Sequence, residues 1–168
     1  MLRPYRKPLI VMTPKSTLRH PLATSRLTDL SSGEFQLVLP EIDEIVDNEV
    51  VRVILTSGKV YYELLEKRRT SGLNNIAIIR IEQLYPFPEE ACKKILKLYA
   101  ETTDVVWCQE EPENQGAWEA IQTSLESLLT KKQTLRYIGR PASAAPAVGY
   151  HSVHEKEQTA LIAKALTI

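Results

Sequence analysis

The 168-residue chain predicts a three-layer α/β/α domain around a mostly parallel sheet, on three observations. Five short apolar runs rich in β-branched residues recur along it. Most are apolar on both faces, as strands buried between two helical layers are. Segments with helical spacing separate them, and strand–helix alternation marks a parallel α/β sheet.

The five runs are "PLIVM" (8–12), "VVRVILTSG" (50–58), "IAIIRIE" (76–82), "DVVWCQE" (104–110) and "LRYIG" (135–139). Between them, "KVYYELLEKRRTSG" places Val60, Leu64 and Leu65 on one face and charges opposite, with Gly72 as the stop. "PEEACKKILKLYAE" opens with Pro88 and two acids, as a helix start should, and aligns Ala91, Ile95 and Leu98. "NQGAWEAIQTSLESLL" opens with Asn114 as N-cap and spaces Trp118, Ile121, Leu125 and Leu128 at helical intervals. "EKEQTALIAKALTI" closes the chain as a last helix. Residues 16–49 are less regular, an insertion or arm within a single domain. There "TLRHPLA" reads as one helical turn stopped by Pro21, and "GEFQLVLPEID" as a short extra strand or an arm. The segment 140–154 reads as a loop of small residues and prolines lying against another surface.

Composition narrows the function classes. Charged residues make up 25% and apolar ones 43%, with equal numbers of acids and bases. No global field points to nucleic acid or to an anionic membrane, and no apolar stretch approaches the roughly 20 residues of a spanning helix. Cys92 and Cys108 have no metal spacing and read as buried thiols in a reducing compartment. The start, "MLRPYRKPLIVM", is not a signal peptide and reads like a chain continuing from something longer.

Ligands of parallel α/β sheets bind beyond the carboxyl ends of the strands. Here those ends carry Thr13-Pro14-Lys15-Ser16, Thr56-Ser57-Gly58-Lys59, Glu82-Gln83, Gln109-Glu110-Glu111 and Gly139-Arg140. "TSGK" is not a Walker motif, because Val53 stands where the first glycine belongs and Val60 follows the lysine. Glu110 and Glu111, adjacent on the chain, point in different directions, so paired-carboxylate chemistry needs a partner such as Glu82. His20, His151 and His154 lie in or near irregular segments, and His154-Glu155 does not belong to an H-E-x-x-H motif. No self-contained set of nucleophile, base and oxyanion donors is present. Basic residues gather at the first run: Arg3, Arg6 and Lys7 before it, Lys15, Arg19 and His20 after it. They suggest an anion site shared with a preceding domain.

Taken together, "RKPLIVMTPKSTLRHPLA", "SGKVYYEL", "IRIEQLYPFP", "WCQEEPENQGAW" and "GRPASAAPAVGYHSVHEKEQ" resemble one family. It is the C-terminal region of the thiamin-diphosphate-dependent first component of the 2-oxoglutarate dehydrogenase complex, or 2-oxoglutarate decarboxylase. The resemblance implies a transketolase-type C-terminal domain: five strands, largely parallel, with one antiparallel edge strand. It implies a parent that decarboxylates 2-oxoglutarate in the tricarboxylic acid cycle and succinylates the lipoyl group of dihydrolipoamide succinyltransferase. Thiamin diphosphate and magnesium would be held by two preceding domains at a dimer interface. The cofactor motif, Gly-Asp-Gly followed by paired asparagines, is missing around Asn74-Asn75, so this chain is expected to be inactive alone and to carry no catalytic residues. The implied role is support of the homodimer and of the pyrimidine-binding domain. A regulatory nucleotide or acetyl-coenzyme A site would use Arg6 and Lys7, with Lys15 and Arg19 beside them. The implied location is bacterial cytoplasm or mitochondrial matrix. The competing reading is a free-standing nucleotide- or acyl-coenzyme-A-binding module. A small hydrolase using Glu82 with Glu110 or Glu111 lacks the rest of its machinery.

Overall fold

The computed structural model describes residues 4–168; Arg3 lies outside them. The chain divides into two compact units, Met1–Gly33 and Glu34–Ile168. In the first, residues 6–14 form no regular structure. A 3-10 turn, Lys15–Arg19, follows and stops before His20-Pro21. A short helix α1, Leu27–Ser32, starts where the Arg26 amide and Nη2 both donate to the Asp29 carboxylate, each at 3.1 Å.

The second unit is a five-stranded sheet with helices on both faces. Its strands are β1 (Val38–Leu39), β2 (Arg52–Thr56), β3 (Ile76–Ile81), β4 (Asp104–Pro112) and β5 (Thr134–Arg140). They lie in the order β1-β3-β2-β4-β5, with β1 antiparallel to β3 and the other three pairings parallel. The helices are α2 (Val60–Thr70), α3 (Glu89–Leu96), α4 (Trp118–Leu128) and α5 (His151–Leu166). The fold class and the antiparallel edge are those expected, but one strand is reassigned. "PLIVM" does not enter the sheet, and Val38–Leu39 takes the edge place instead. Two residues suffice there because Leu37 O also accepts the amides of Glu82 and Gln83.

Strand alternation divides the core. Val53, Leu55, Ala77, Ile79, Ile81, Val105 and Trp107 face one side, packed with Cys92, Leu96 and Tyr99 and with Trp118, Ile121 and Leu125 of α4. On the other side α2 packs against α5, and Val60, Leu64 and Leu65 of α2 and Leu161, Ile162 and Ala165 of α5 are buried. The stripe of α3 differs by one position from the Ala91, Ile95, Leu98 set. Cys92, Leu96 and Tyr99, spaced i, i+4 and i+7, form its centre, Ala91 and Ile95 pack at its margin, and Leu98 is 55% exposed.

Two buried arginines tie the ends of the sheet. Arg52, 4% exposed, donates Nε to Asp104 at 2.6 Å and Nη1 to the carbonyls of Ala165 at 2.8 Å and Thr167 at 2.6 Å. It satisfies the C-terminus of α5 with a cation, which the helix dipole favours. Arg68, 1% exposed, pairs with Glu41 and with Asp43, and donates to Ile76 O at 2.8 Å. Glu41 Oε2 in turn accepts the Ile78 amide at 2.7 Å. The carboxylate therefore satisfies an outward-facing amide of β3 beyond the reach of β1.

Removing one partner of a buried pair leaves an uncompensated charge, so Glu41→Ala should lower unfolding free energy by about 3 kcal/mol, read from urea midpoints. Acid should act on the same contacts. The Arg69 bond, reinforced by Arg68, holds Asp43 below the ordinary carboxylate range despite some burial. Burial pushes Asp104 up, but the bonds from Arg136 and Arg52 together outweigh it and hold it low. A carboxylate depressed in the folded state stabilises fully above its unfolded pKa, roughly 3.9, and loses that contribution as pH falls through the folded value. The melting temperature should therefore hold from about pH 7 to 5 and drop below about pH 4, a drop that the Asp43→Asn, Asp104→Asn double variant should flatten.

Candidate functional site at the carboxyl edge of the sheet

The chain leaves β2 toward β3 on one side and returns to β4 on the other. The carboxyl ends of β2 and β4 thus flank the switch point where doubly wound sheets open a crevice. Here that place is bridged. Lys59 Nζ, from the turn after β2, pairs with Glu110 of β4 and lies 3.5 Å from Glu63 of α2. Burial opposes the lysine's charge, but the bond to Glu110 and the charges of Glu110 and Glu63 more than offset it and hold its pKa above the ordinary lysine value. Below the ion pair, Thr56 Oγ1 donates to Cys108 O at 2.8 Å.

The network continues to β5 and α5. Gln158 Nε2 donates to Glu63 at 3.0 Å, and Arg140 Nη2 reaches His154 Nδ1 at 2.8 Å and Gln158 Oε1 at 3.4 Å. Arg140 Nε lies 3.4 Å from Glu157 Oε2 outside hydrogen-bond alignment. His151 and His154 stand on the first turn of α5, so the irregular segment predicted for 140–154 is shorter, over 141–150.

The stretch "WCQEEPENQGAW" is organised by Gln109, 2% exposed. Its Oε1 accepts Trp107 Nε1 at 2.8 Å, Trp118 N at 3.1 Å and Ala117 N at 3.3 Å. Its Nε2 donates to Gln115 O at 2.7 Å and Pro112 O at 3.1 Å. One strand residue thereby caps the start of α4, the function predicted for Asn114. Asn114 stands four residues before Trp118, too far out to cap it. It instead exchanges bonds with the Ser143 backbone, donating to O at 3.1 Å and accepting from N at 3.0 Å, and Gln115 Nε2 joins at 2.9 Å. Two glycines make this packing possible. Gly116 has φ 69° and a Cβ there would stand 3.0 Å from Gln109 Nε2; one on Gly139 would stand 2.0 Å from Tyr137 Oη. That hydroxyl bonds Glu111 O and Arg140 O, each at 3.0 Å.

Other predicted groups are not brought into one site. Glu82 pairs with Arg80 on β3, while Glu110 is held by Lys59 and Glu111 faces solvent. Burial pushes the Cys108 thiol up to about 12, the Glu110 charge adding to it, and burial does the same to Cys92. Neither is a thiolate near neutral pH. Arg6, Lys7, Lys15 and Arg19 are exposed in the first unit. Lys15 and Arg19 begin and end one 3-10 turn, and Lys7 Nζ lies 5.3 Å from the Tyr5 ring centre. The sequence marks Gln109 and Arg140 at strand ends without showing what they hold, and sequence reasoning does not single out Arg68, yet all three leave a signal. Each is a polar residue at a position whose strand or helix period points inward.

The geometry defines a mixed-sheet α/β domain whose switch point is closed by its own side chains. The chain belongs to the 2-oxoglutarate dehydrogenase C-terminal family, whose model matches residues 24–166. It is 57% identical over 99% of its length to a 2-oxoglutarate dehydrogenase E1 component of Haemophilus influenzae, covering 18% of that protein. Against the E1 component of Coxiella burnetii it is 53% identical over 100% of its length and 18% of the relative. Against that of Rickettsia felis the figures are 47%, 96% and 17%. The chain thus spans less than a fifth of the relatives it matches.

If Gln109 caps α4, Gln109→Leu should strand two amides and the Trp107 indole N–H, costing about 2–4 kcal/mol and shifting tryptophan fluorescence in the native state. Gly116→Ala should cost about 1–2 kcal/mol through its left-handed backbone and the crowded carboxamide.

Proposed function

We propose that the chain acts as the C-terminal, non-catalytic domain of a 2-oxoglutarate dehydrogenase first component. The parent would decarboxylate 2-oxoglutarate and succinylate the lipoyl group of dihydrolipoamide succinyltransferase within the tricarboxylic acid cycle. The observation that carries the reading is the Lys59–Glu110 bridge across the crevice where such a sheet would otherwise take a ligand.

Thiamin diphosphate and magnesium belong, on this reading, to other parts of the parent, because the residues here do not fit them. No group of three or more His, Cys, Asp or Glu among the described residues is disposed to hold a metal. Asn75 sits in the turn before β3, where its carbonyl accepts the Val51 amide. The chain's own contribution is mechanical. The exposed 141–150 loop, of small side chains and anchored at Ser143 by Asn114 and Gln115, suits a close contact within a homodimer. The exposed Arg6, Lys7, Lys15 and Arg19 suit a regulatory anion such as AMP or acetyl-coenzyme A, completed by neighbouring domains. No helix among the described residues is long and apolar enough to cross a membrane.

A chimera of the Haemophilus influenzae relative, with this chain in place of the matching segment, should decarboxylate 2-oxoglutarate while the isolated chain does not. Lys59→Met in the chimera should leave kcat within about threefold, since it removes no group from the reacting centre. Turnover by the isolated chain, or a kcat loss of several orders of magnitude in a folded Lys59→Met chimera, would overturn the reading. Titrating the chimera with AMP and acetyl-coenzyme A, with Arg6→Ala as control, tests the regulatory site.

A further inference from the structure

The buried face of α5 begins late. Its buried residues are Gln158, Leu161, Ile162, Ala165 and Leu166, none of them in the first turn. Tyr150, His151, Ser152 and Val153 are exposed, and the helix start has neither a side-chain cap nor an acid in its first turn. Polar contacts therefore hold the opening of α5 to the sheet. They converge on Arg140 of β5, whose side chain is 8% exposed. Its Nη2 reaches His154 Nδ1 at 2.8 Å and Gln158 Oε1 at 3.4 Å, and its Nε faces Glu157.

An arginine offers donors only and keeps its proton. His154 Nδ1 must therefore be the acceptor, so the ring is neutral and carries its proton on Nε2. We propose that the Arg140–His154 contact is a proton-released latch. Neutral His154 fastens the start of α5 and the end of the 141–150 loop to β5, and its imidazolium form releases both. Protonation sets donor against donor, places a second cation beside a buried guanidinium, and adds positive charge at a helix N-terminus, where the dipole disfavours it. The acids of the network are already engaged. Glu157 faces Arg140, while Glu63 of α2 meets Lys59 at 3.5 Å and Gln158 at 3.0 Å. Lys59 in turn pairs with Glu110 of β4. On α5 itself Lys156 is exposed, and Glu155 lies 3.6 Å from His151, so charging His151 tightens a contact instead of breaking one. Release is bounded on both sides, because Ser143 stays tied to Asn114 and Gln115 and Gln158 stays tied to Glu63.

The latched state holds no proton on His154 Nδ1, whereas the open state binds one at the ordinary histidine value, roughly 6.5. Latching is thus complete above that pH and is lost as pH falls below it. From about pH 7.5 to about pH 5.5 the ratio of latched to open molecules should fall about tenfold. Nitrogen NMR of the 168-residue chain should find Nδ1 bare and Nε2 protonated at the higher pH. Amide exchange, corrected for its intrinsic pH dependence, should show His154 to Glu157 opening about tenfold more at the lower pH, with Leu161 to Ala165 unchanged. His154→Asn, whose Oδ1 takes the place of Nδ1 and accepts at either pH, should abolish the difference; His151→Gln should keep it. A charged or Nδ1-protonated His154 at the higher pH, equal protection at both pH values, or an unaltered pH response in His154→Asn would each overturn the proposal. The nitrogen measurement uses the unaltered chain, so it decides even where a variant unfolds.

Discussion

The carboxamide of Gln109 is the contact on which the rest of the carboxyl edge depends. Three donors converge on its oxygen and two carbonyls on its nitrogen, in a place with almost no access to water. A buried polar group is tolerable only when satisfied, so the strand end, the turn and the first amides of α4 must be arranged together. Gly116 provides the turn that lets the chain close over the carboxamide. Trp118, on the far side, completes the α4 face of the core. With this corner set, Glu110 is presented to Lys59 and Asn114 to Ser143.

The closed crevice shows how the place where such a fold usually receives a ligand can be filled by the domain's own side chains. The same switch point that opens a cleft in other doubly wound sheets is here occupied by a lysine and a glutamate from the flanking strand ends, extended by Glu63, Gln158, Arg140 and His154. Every member is tied to an opposite charge or a hydrogen-bond partner. Such a network fixes the relative positions of α2, β4, β5 and α5.

The period of the apolar residues made β2 to β5 and the helices between them legible from the sequence. The edge was less so. Propensity marks Leu9–Met12 as a strand more strongly than Val38–Leu39, yet pairing depends on a partner at hand. Leu37 to Leu39 sit where β3 offers its edge. Asn114 reads as a cap because its type favours one, whereas the capping oxygen comes from a strand residue five positions earlier in the chain. Spacing does not reveal a contact made across a turn. Arg68 hides differently: it occupies an inward position of α2, and its acidic partners lie in the irregular segment before β2.

Glu41 has a consequence for solubility. Its carboxylate accepts the Ile78 amide, where β3 runs on past its two-residue neighbour, and so occupies a group that would otherwise recruit a foreign strand. The opposite margin of the sheet, along β5, has no such cover from another strand of the described residues. Glu41 thus makes the β3 side of the sheet a poorer template for a foreign strand than the β5 side.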